Sequence, residues 1–241
     1  MRWKYNRIGI STRRRKKDKY RDDKKQYDLI KVETNKFIGR EILKFQAYYR
    51  QITRHDELPD LFYFNLDGQF VNTTTHWVEE CNVPLENIDI CSSTIEFKPR
   101  GYFGTAVDWF KQRDSNDYRY DCVFLDFCGT ANNENLEALV TLFKKRLIES
   151  IAILAFTFSH RGGPKKLDYY HQQTFGGLVT VCDIARKYGF FIGNVSSIEN
   201  KEVTTYVCKV MEIQDALAYG TGIQCDRNNF GPDKWVISSE Y

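Results

Sequence analysis

At 241 residues, with 42% hydrophobic and 15% aromatic side chains, the chain can bury one large core or two small ones. It has no run of 18 apolar residues, which excludes a membrane-spanning helix, and its first residues lack the apolar stretch of a secretory signal. The formal net charge of +3 hides an asymmetry: residues 1–31 carry 13 Lys or Arg against 4 Asp or Glu, and the rest of the chain carries 22 against 28.

Arg13, Arg14, Arg15, Lys16 and Lys17 form the centre of that basic run. A block of like charges repels itself, so residues 1–31 are expected to be a flexible arm until a polyanion neutralises them. Contacts to phosphates release counterions, which makes a nucleic acid, DNA or RNA, the expected partner at low salt. A solvated tail or a targeting signal would carry the same charge. The seven cysteines, at 81, 91, 122, 128, 182, 208 and 225, are odd in number and include no C-x-x-C pair. They read as reduced, mostly buried thiols of a cytosol-like compartment, without the ligand spacing of a zinc site.

Along the chain, Ile38, Ile42, Phe45, Tyr49 and Ile52 recur at steps of four and three and predict a helix over 35–52, with Asn35 as its cap. Residues 61–65 (LFYFN) read as a buried strand that turns at Leu66-Asp67-Gly68. A helix over 72–81 would bury Trp77, Val78 and Cys81, a second strand over 87–91 ends at Ser92-Ser93, and 94–97 is a short extended piece. A helix within 104–112 points Val107 and Phe110 inward. Residues 121–126 (DCVFLD) form an apolar strand that stops on a carboxylate, and 133–147 form an amphipathic helix, acidic early and basic late as the helix dipole favours. Residues 151–158 are apolar without alternation, the pattern of a strand covered on both faces in a parallel sheet. A helix over 173–188 and strands over 190–195 and 203–211, linked as a hairpin, follow; residues 214–241 read as a tail or edge cap. Alternating strands and helices from 61 to 188 predict an α/β domain over 32–213. Its sheet is mainly parallel and Rossmann-like, has helices on both faces, and ends in an antiparallel hairpin.

This order resembles the class I, Rossmann-like S-adenosylmethionine-dependent methyltransferases, over about residues 35–213. Residues 121–130 (DCVFLDFCGT) look like the family's fourth strand and its motif, 151–161 (IAILAFTFSHR) like its fifth, and 186–211 like its last helix end and hairpin. The chain resembles the degenerate members of this family familiar from large DNA viruses and phages, which implies a viral source. The resemblance implies S-adenosylmethionine as cofactor, held near Asn65, Asp67, Gly68, Ser92, Asp126 and Phe127. The first half departs from the pattern. Residues 64–69 (FNLDGQ) hold one carboxylate and one glycine where the family has a glycine-rich turn, and Ser92 stands where an acid grips the ribose. Losing such a charge-assisted contact costs about 1.5–3 kcal/mol.

Open α/β sheets bind ligands at the carboxyl ends of their strands, where Asp126 lies. Asp126 either orients an amine or acts as a base beside the incoming methyl group, or it caps the following turn. Phe127 is a platform for a flipped base. Cys128 faces the target or packs as a small hydrophobe. Arg161, with His160, Lys165 and Lys166, either clamps substrate phosphates or solubilises a loop. Two readings follow: a methyltransferase acting on a nucleic acid, and a catalytically inactive methyltransferase-like fold that serves as a nucleic-acid-binding or structural protein.

Overall fold

The computed structural model describes residues 11–14, 24–53, 61–67, 72–92, 95–98, 101–116, 119–127, 129–159, 167–199 and 203–214. In chain order these form β1 (Ser11–Arg14), α1 (Lys24–Thr53), β2 (Tyr63–Leu66), α2 (Asn72–Glu80), β3 (Ile88–Ser92), β4 (Ile95–Lys98), β5 (Gly101–Phe103), α3 (Ala106–Gln112), β6 (Tyr120–Asp126), α4 (Asn133–Lys144), β7 (Ile148–Ser159), α5 (Leu167–Lys187), β8 (Phe190–Glu199) and β9 (Val203–Glu212).

Seven strands make one sheet in the order β5-β3-β2-β6-β7-β9-β8. The first five are parallel neighbours; β9 then runs antiparallel to both β7 and β8. The fold is thus the Rossmann-like α/β class expected from the strand and helix alternation, with the antiparallel hairpin at one edge. The unalternating apolar run of β7 has its expected cause, since Ala152 to Ser159 are buried along their length.

Both faces are covered, by different helices. On one face Phe64, Val123, Leu125, Leu154 and Phe156 pack with Val107 and Phe110 of α3, Leu139 and Phe143 of α4, and Val181 and Ala185 of α5. On the other, Tyr63, Ile90, Phe124, Ile153 and Val207 pack with Ile38, Ile42 and Phe45 of α1 and Trp77 of α2. Side chains alternate across a strand, so Tyr63 and Phe64 of β2, and positions 122 to 125 of β6, sort alternately between these two cores; Tyr120, before the irregularity at the start of β6, packs on the first face.

Several elements differ from the sequence expectation. α1 begins at Lys24, and Asn35 does not cap it: Asn35 sits inside the helix, 4% exposed, and its Oδ1 accepts a hydrogen bond from Thr73 Oγ1 at 3.0 Å. The apolar stripe stops at Ile38, but the buried face continues N-terminally through polar residues. Residues 95–98 join no central strand; β4 pairs antiparallel with β1, inside the run read as an arm, and sets Arg13 opposite Glu96 and Arg14 opposite Ile95. β5 is three residues long, too short to show an alternation, and pairs with β3 at the sheet edge. α5 starts at Leu167, and the hairpin strands run on to Glu199 and back from Val203, with a register shift between Gly193 and Ser196.

Candidate functional site

The parallel register brings the strand ends into one row. Leu66 of β2 lies beside Cys91 of β3 and Leu125 of β6, and Asp126 lies beside Thr157 of β7. Ser92, Asp67 and Asp126, each at or just past its strand's last residue, therefore share the carboxyl edge of the sheet. By alternation Asn65 follows Tyr63, and Asp126 follows Phe124, onto the face covered by α1 and α2. Buried polar side chains gather at this end: Asn65, Asp67, Thr73, Thr74, Ser92 and Thr157 are each less than one-tenth exposed.

Asp67 organises the β2–α2 connection. Its backbone N–H donates to Cys91 O at 3.0 Å, continuing the ladder one residue beyond β2. Its Oδ2 accepts from the Thr74 backbone N–H, from Thr74 Oγ1 and from Asn65 Nδ2, each at 3.0 Å. Thr74 lies in the first turn of α2, whose N–H groups have no partner within the helix, so the carboxylate does the work of a cap and suits the positive end of the dipole. Asn65 Nδ2 also donates to Thr74 Oγ1 at 2.9 Å. Among the described residues Asn65 Oδ1 has no partner, in a residue that is fully buried, which leaves an acceptor with spare capacity at the strand's end.

Asp126 ends the central strand, and its Oδ2 accepts a hydrogen bond from Lys31 Nζ of α1. The two side chains are 14% and 19% exposed, which makes this a partly buried ion pair bridging 95 residues of sequence. Four residues on, Asn35 accepts from Thr73, so two successive turns of α1 rest on the carboxyl edge. Lys31 and Asn35 thus touch the candidate site, which the sequence reading passed over. A signal was present: the steps of four and three that join Phe45, Ile42 and Ile38 reach Asn35 and Lys31 when continued backwards.

Phe127 turns to the other face. It is 5% exposed and its ring stacks on Phe158, with centroids 5.7 Å apart and planes 8° from parallel. The ring therefore packs in the core and is not presented as a platform at the crevice. Arg13 and Arg14 lie on β1 of the two-stranded ribbon. Gly68, Cys128, Arg161, Lys165 and Lys166, and Arg15, Lys16 and Lys17 of the basic run, lie outside the described residues. Among the described residues no group of three His, Cys, Asp or Glu side chains is placed to hold a metal ion, and no helix is long and apolar enough to cross a membrane.

The sequence matches no family model and no curated protein. Some solved structures show a distant likeness to this backbone arrangement. One is a protein described as a sarcosine dimethylglycine methyltransferase from Galdieria sulphuraria, at 9% identity and TM-score 0.46 over 74% of this chain and 85% of that one. A second is magnesium protoporphyrin IX methyltransferase from Synechocystis, with S-adenosylhomocysteine bound, at 12% identity and TM-score 0.39 over 75% and 87%. A third is the fibrillarin pre-rRNA processing protein of Methanococcus jannaschii, at 12% identity and TM-score 0.37 over 64% and 69%. The class of this chain rests on its own strand order: a Rossmann-like α/β protein whose polar strand ends converge at the carboxyl edge.

Proposed function

We propose that the chain is an S-adenosylmethionine-dependent methyltransferase acting on a nucleic acid. One observation carries this reading: the carboxylate of Asp126, at the end of the central strand, pairs with the ammonium of the chain's own Lys31, at an edge that also holds Asn65 Oδ1, an acceptor without a partner among the described residues. An acceptor set of this kind fits S-adenosylmethionine, whose methionine end carries an ammonium and whose reactive centre is a sulfonium. When bound, that cofactor supplies an electrophilic methyl group.

The chain's own residues then have distinct tasks. Asn65 accepts a hydrogen bond from the ligand, and Ser92 meets a ribose hydroxyl. Asp67 holds β2 and α2 in place, and Gly68 is assigned to the cofactor contact. Asp126 balances positive charge and takes a proton from the methyl acceptor. Cys128 and Arg161 face the target, and Arg13, Arg14, Arg15, Lys16, Lys17, Lys165 and Lys166 bind phosphates. Asp126→Ala is expected to weaken S-adenosylmethionine binding in calorimetry. Removing residues 1–23, which spares α1, is expected to weaken oligonucleotide binding and flatten its salt dependence.

A second reading, an inactive methyltransferase-like fold that binds nucleic acid or serves as a structural protein, is favoured by one observation. Asp67 and Asp126 are both engaged by the chain's own donors. It predicts no heat and no thermal shift with S-adenosylmethionine or S-adenosylhomocysteine at millimolar concentration, alongside intact oligonucleotide binding.

A further inference from the structure

We propose that Lys31 is the resident counter-ion of this site, and that the first turns of α1 form a cover which a cationic ligand exchanges for itself. The inference deepens the methyltransferase reading and rests on it. Its ligand class is a molecule bearing an ammonium or sulfonium group that takes the place of the Lys31 ammonium on Asp126.

The two halves of α1 are held by different forces. From Ile38 onward the helix is anchored by apolar burial: Ile38, Ile42 and Phe45 are at most 4% exposed and pack in the core with Trp77. Apolar burial of this extent is non-directional and resists local opening. Between Lys31 and Asn35 the helix makes polar contacts, among them the ion pair to Asp126 and the hydrogen bond from Thr73 to Asn35. Val32 on the outer side is 39% exposed. Residues 31–35 place no large apolar side chain in the core, so this part of α1 lifts at a lower cost than the rest, a cost that includes one partly buried ion pair and one buried hydrogen bond.

The exchange is chemically matched. Lys31 Nζ is an ammonium on a carboxylate, and an incoming cation replaces it without leaving Asp126 buried and uncompensated. Leaving that carboxylate unpaired would be the costly state, and neither the covered nor the ligand-bound form contains it. A closed cover lowers apparent affinity by the fraction of molecules that are open. Removing the ammonium while keeping the aliphatic stem should therefore strengthen binding.

The test is calorimetric titration of the full chain with S-adenosylmethionine, for wild type, Lys31→Met and Lys31→Arg, with amide hydrogen exchange of residues 24–35 measured with and without ligand. Lys31→Met is expected to bind on the order of tenfold tighter than wild type, as for a site closed about nine-tenths of the time. Lys31→Arg, which keeps the cation, is expected to stay near wild type, and ligand should speed exchange in residues 24–35 of wild type. Binding by all three proteins with Lys31→Met equal to or weaker than wild type overturns the exchange and leaves the methyltransferase reading standing. Absence of binding by all three overturns both.

Discussion

Replacing Asp67 by alanine tests the framework of the site at its most connected atom. Asp67 Oδ2 accepts three hydrogen bonds at 3.0 Å, and the donors belong to Asn65 and Thr74, both fully buried. The Thr74 hydroxyl can rotate to another acceptor. The Thr74 backbone N–H and the Asn65 N–H that points at the carboxylate cannot, although Asn65 keeps its other bond to Thr74 Oγ1, and each buried donor left unsatisfied costs about 1–3 kcal/mol. Some of that is recovered if water enters the space left by the carboxylate, so the expected loss is about 3 kcal/mol. In a domain of this size, each kcal/mol moves the melting temperature by roughly 2–4 °C, which gives a fall of about 6–12 °C. Asp67→Asn retains an acceptor and loses only the charge assistance, so its expected loss is about 1 kcal/mol. The assay is equilibrium urea unfolding, read as a shift in midpoint at constant slope. An alanine variant within about 0.5 kcal/mol of wild type would refute the assignment of Asp67 as the clasp of β2 and α2.

Burial, opposed by a hydrogen bond from the Phe62 N–H at 2.9 Å, raises the carboxyl of Asp121 from 3.8 to about 7. Because the folded value is above the unfolded one, the stability it confers is full below about pH 4 and is lost as pH rises through 7. Between pH 5 and 8 the wild type should lose about 2 kcal/mol that Asp121→Asn does not, measured by urea midpoints at the two pH values. Arg146 ends α4 with φ of 54°, stacks over Phe190 at 5.3 Å and pairs with Glu212 at 2.8 Å. Both Arg146→Gly and Arg146→Ala lose these contacts, but only alanine keeps the left-handed strain, so it should be the less stable by about 1 kcal/mol in thermal unfolding. Burial pushes the Cys91 thiol up to about 12 and those of Cys122 and Cys208 well above their ordinary value. At pH 8 these three should resist alkylation in the native protein and react once urea is added, as mapped by peptide mass spectrometry.

The parts of the fold that were legible in the sequence are those whose side chains keep one environment for a full period. β6 and β7 are apolar on both sides because helices cover both faces, and α4 shows its stripe because one face meets the sheet and the other meets water. β5 was not legible because three residues at an edge carry no period; β4 was legible as a short extended piece, but its pairing was not, because its partner, β1, lies more than 80 residues earlier in a run whose composition points to repulsion. The site was legible in part for a topological reason. Strand ends at a carboxyl edge can be placed once the strands are, which located Asn65, Asp67, Ser92 and Asp126 without any knowledge of what they touch. What they touch depends on pairings across 9 residues for Asn65 and Thr74, and 95 for Lys31 and Asp126, that no local pattern encodes.

The misreading of α1 shows why such pairings are hidden and how one can be sought. A helix is traced from its apolar stripe, and the first polar residue on that stripe is taken as its end or its cap. Here the stripe passes from Phe45, Ile42 and Ile38 to Asn35 and Lys31 without changing its period, and the residue type changes because the neighbouring surface does. Over the centre of the sheet the helix meets Tyr63, Phe124 and Val207; beyond the carboxyl edge it meets Thr73 and Asp126. A buried stripe that turns polar while keeping its period therefore marks the point where this helix crosses from the core onto the polar ends of the strands. Lysine at that point, facing the carboxylate of the central strand, makes the same statement in charge that Asn35 and Thr73 make in hydrogen bonds.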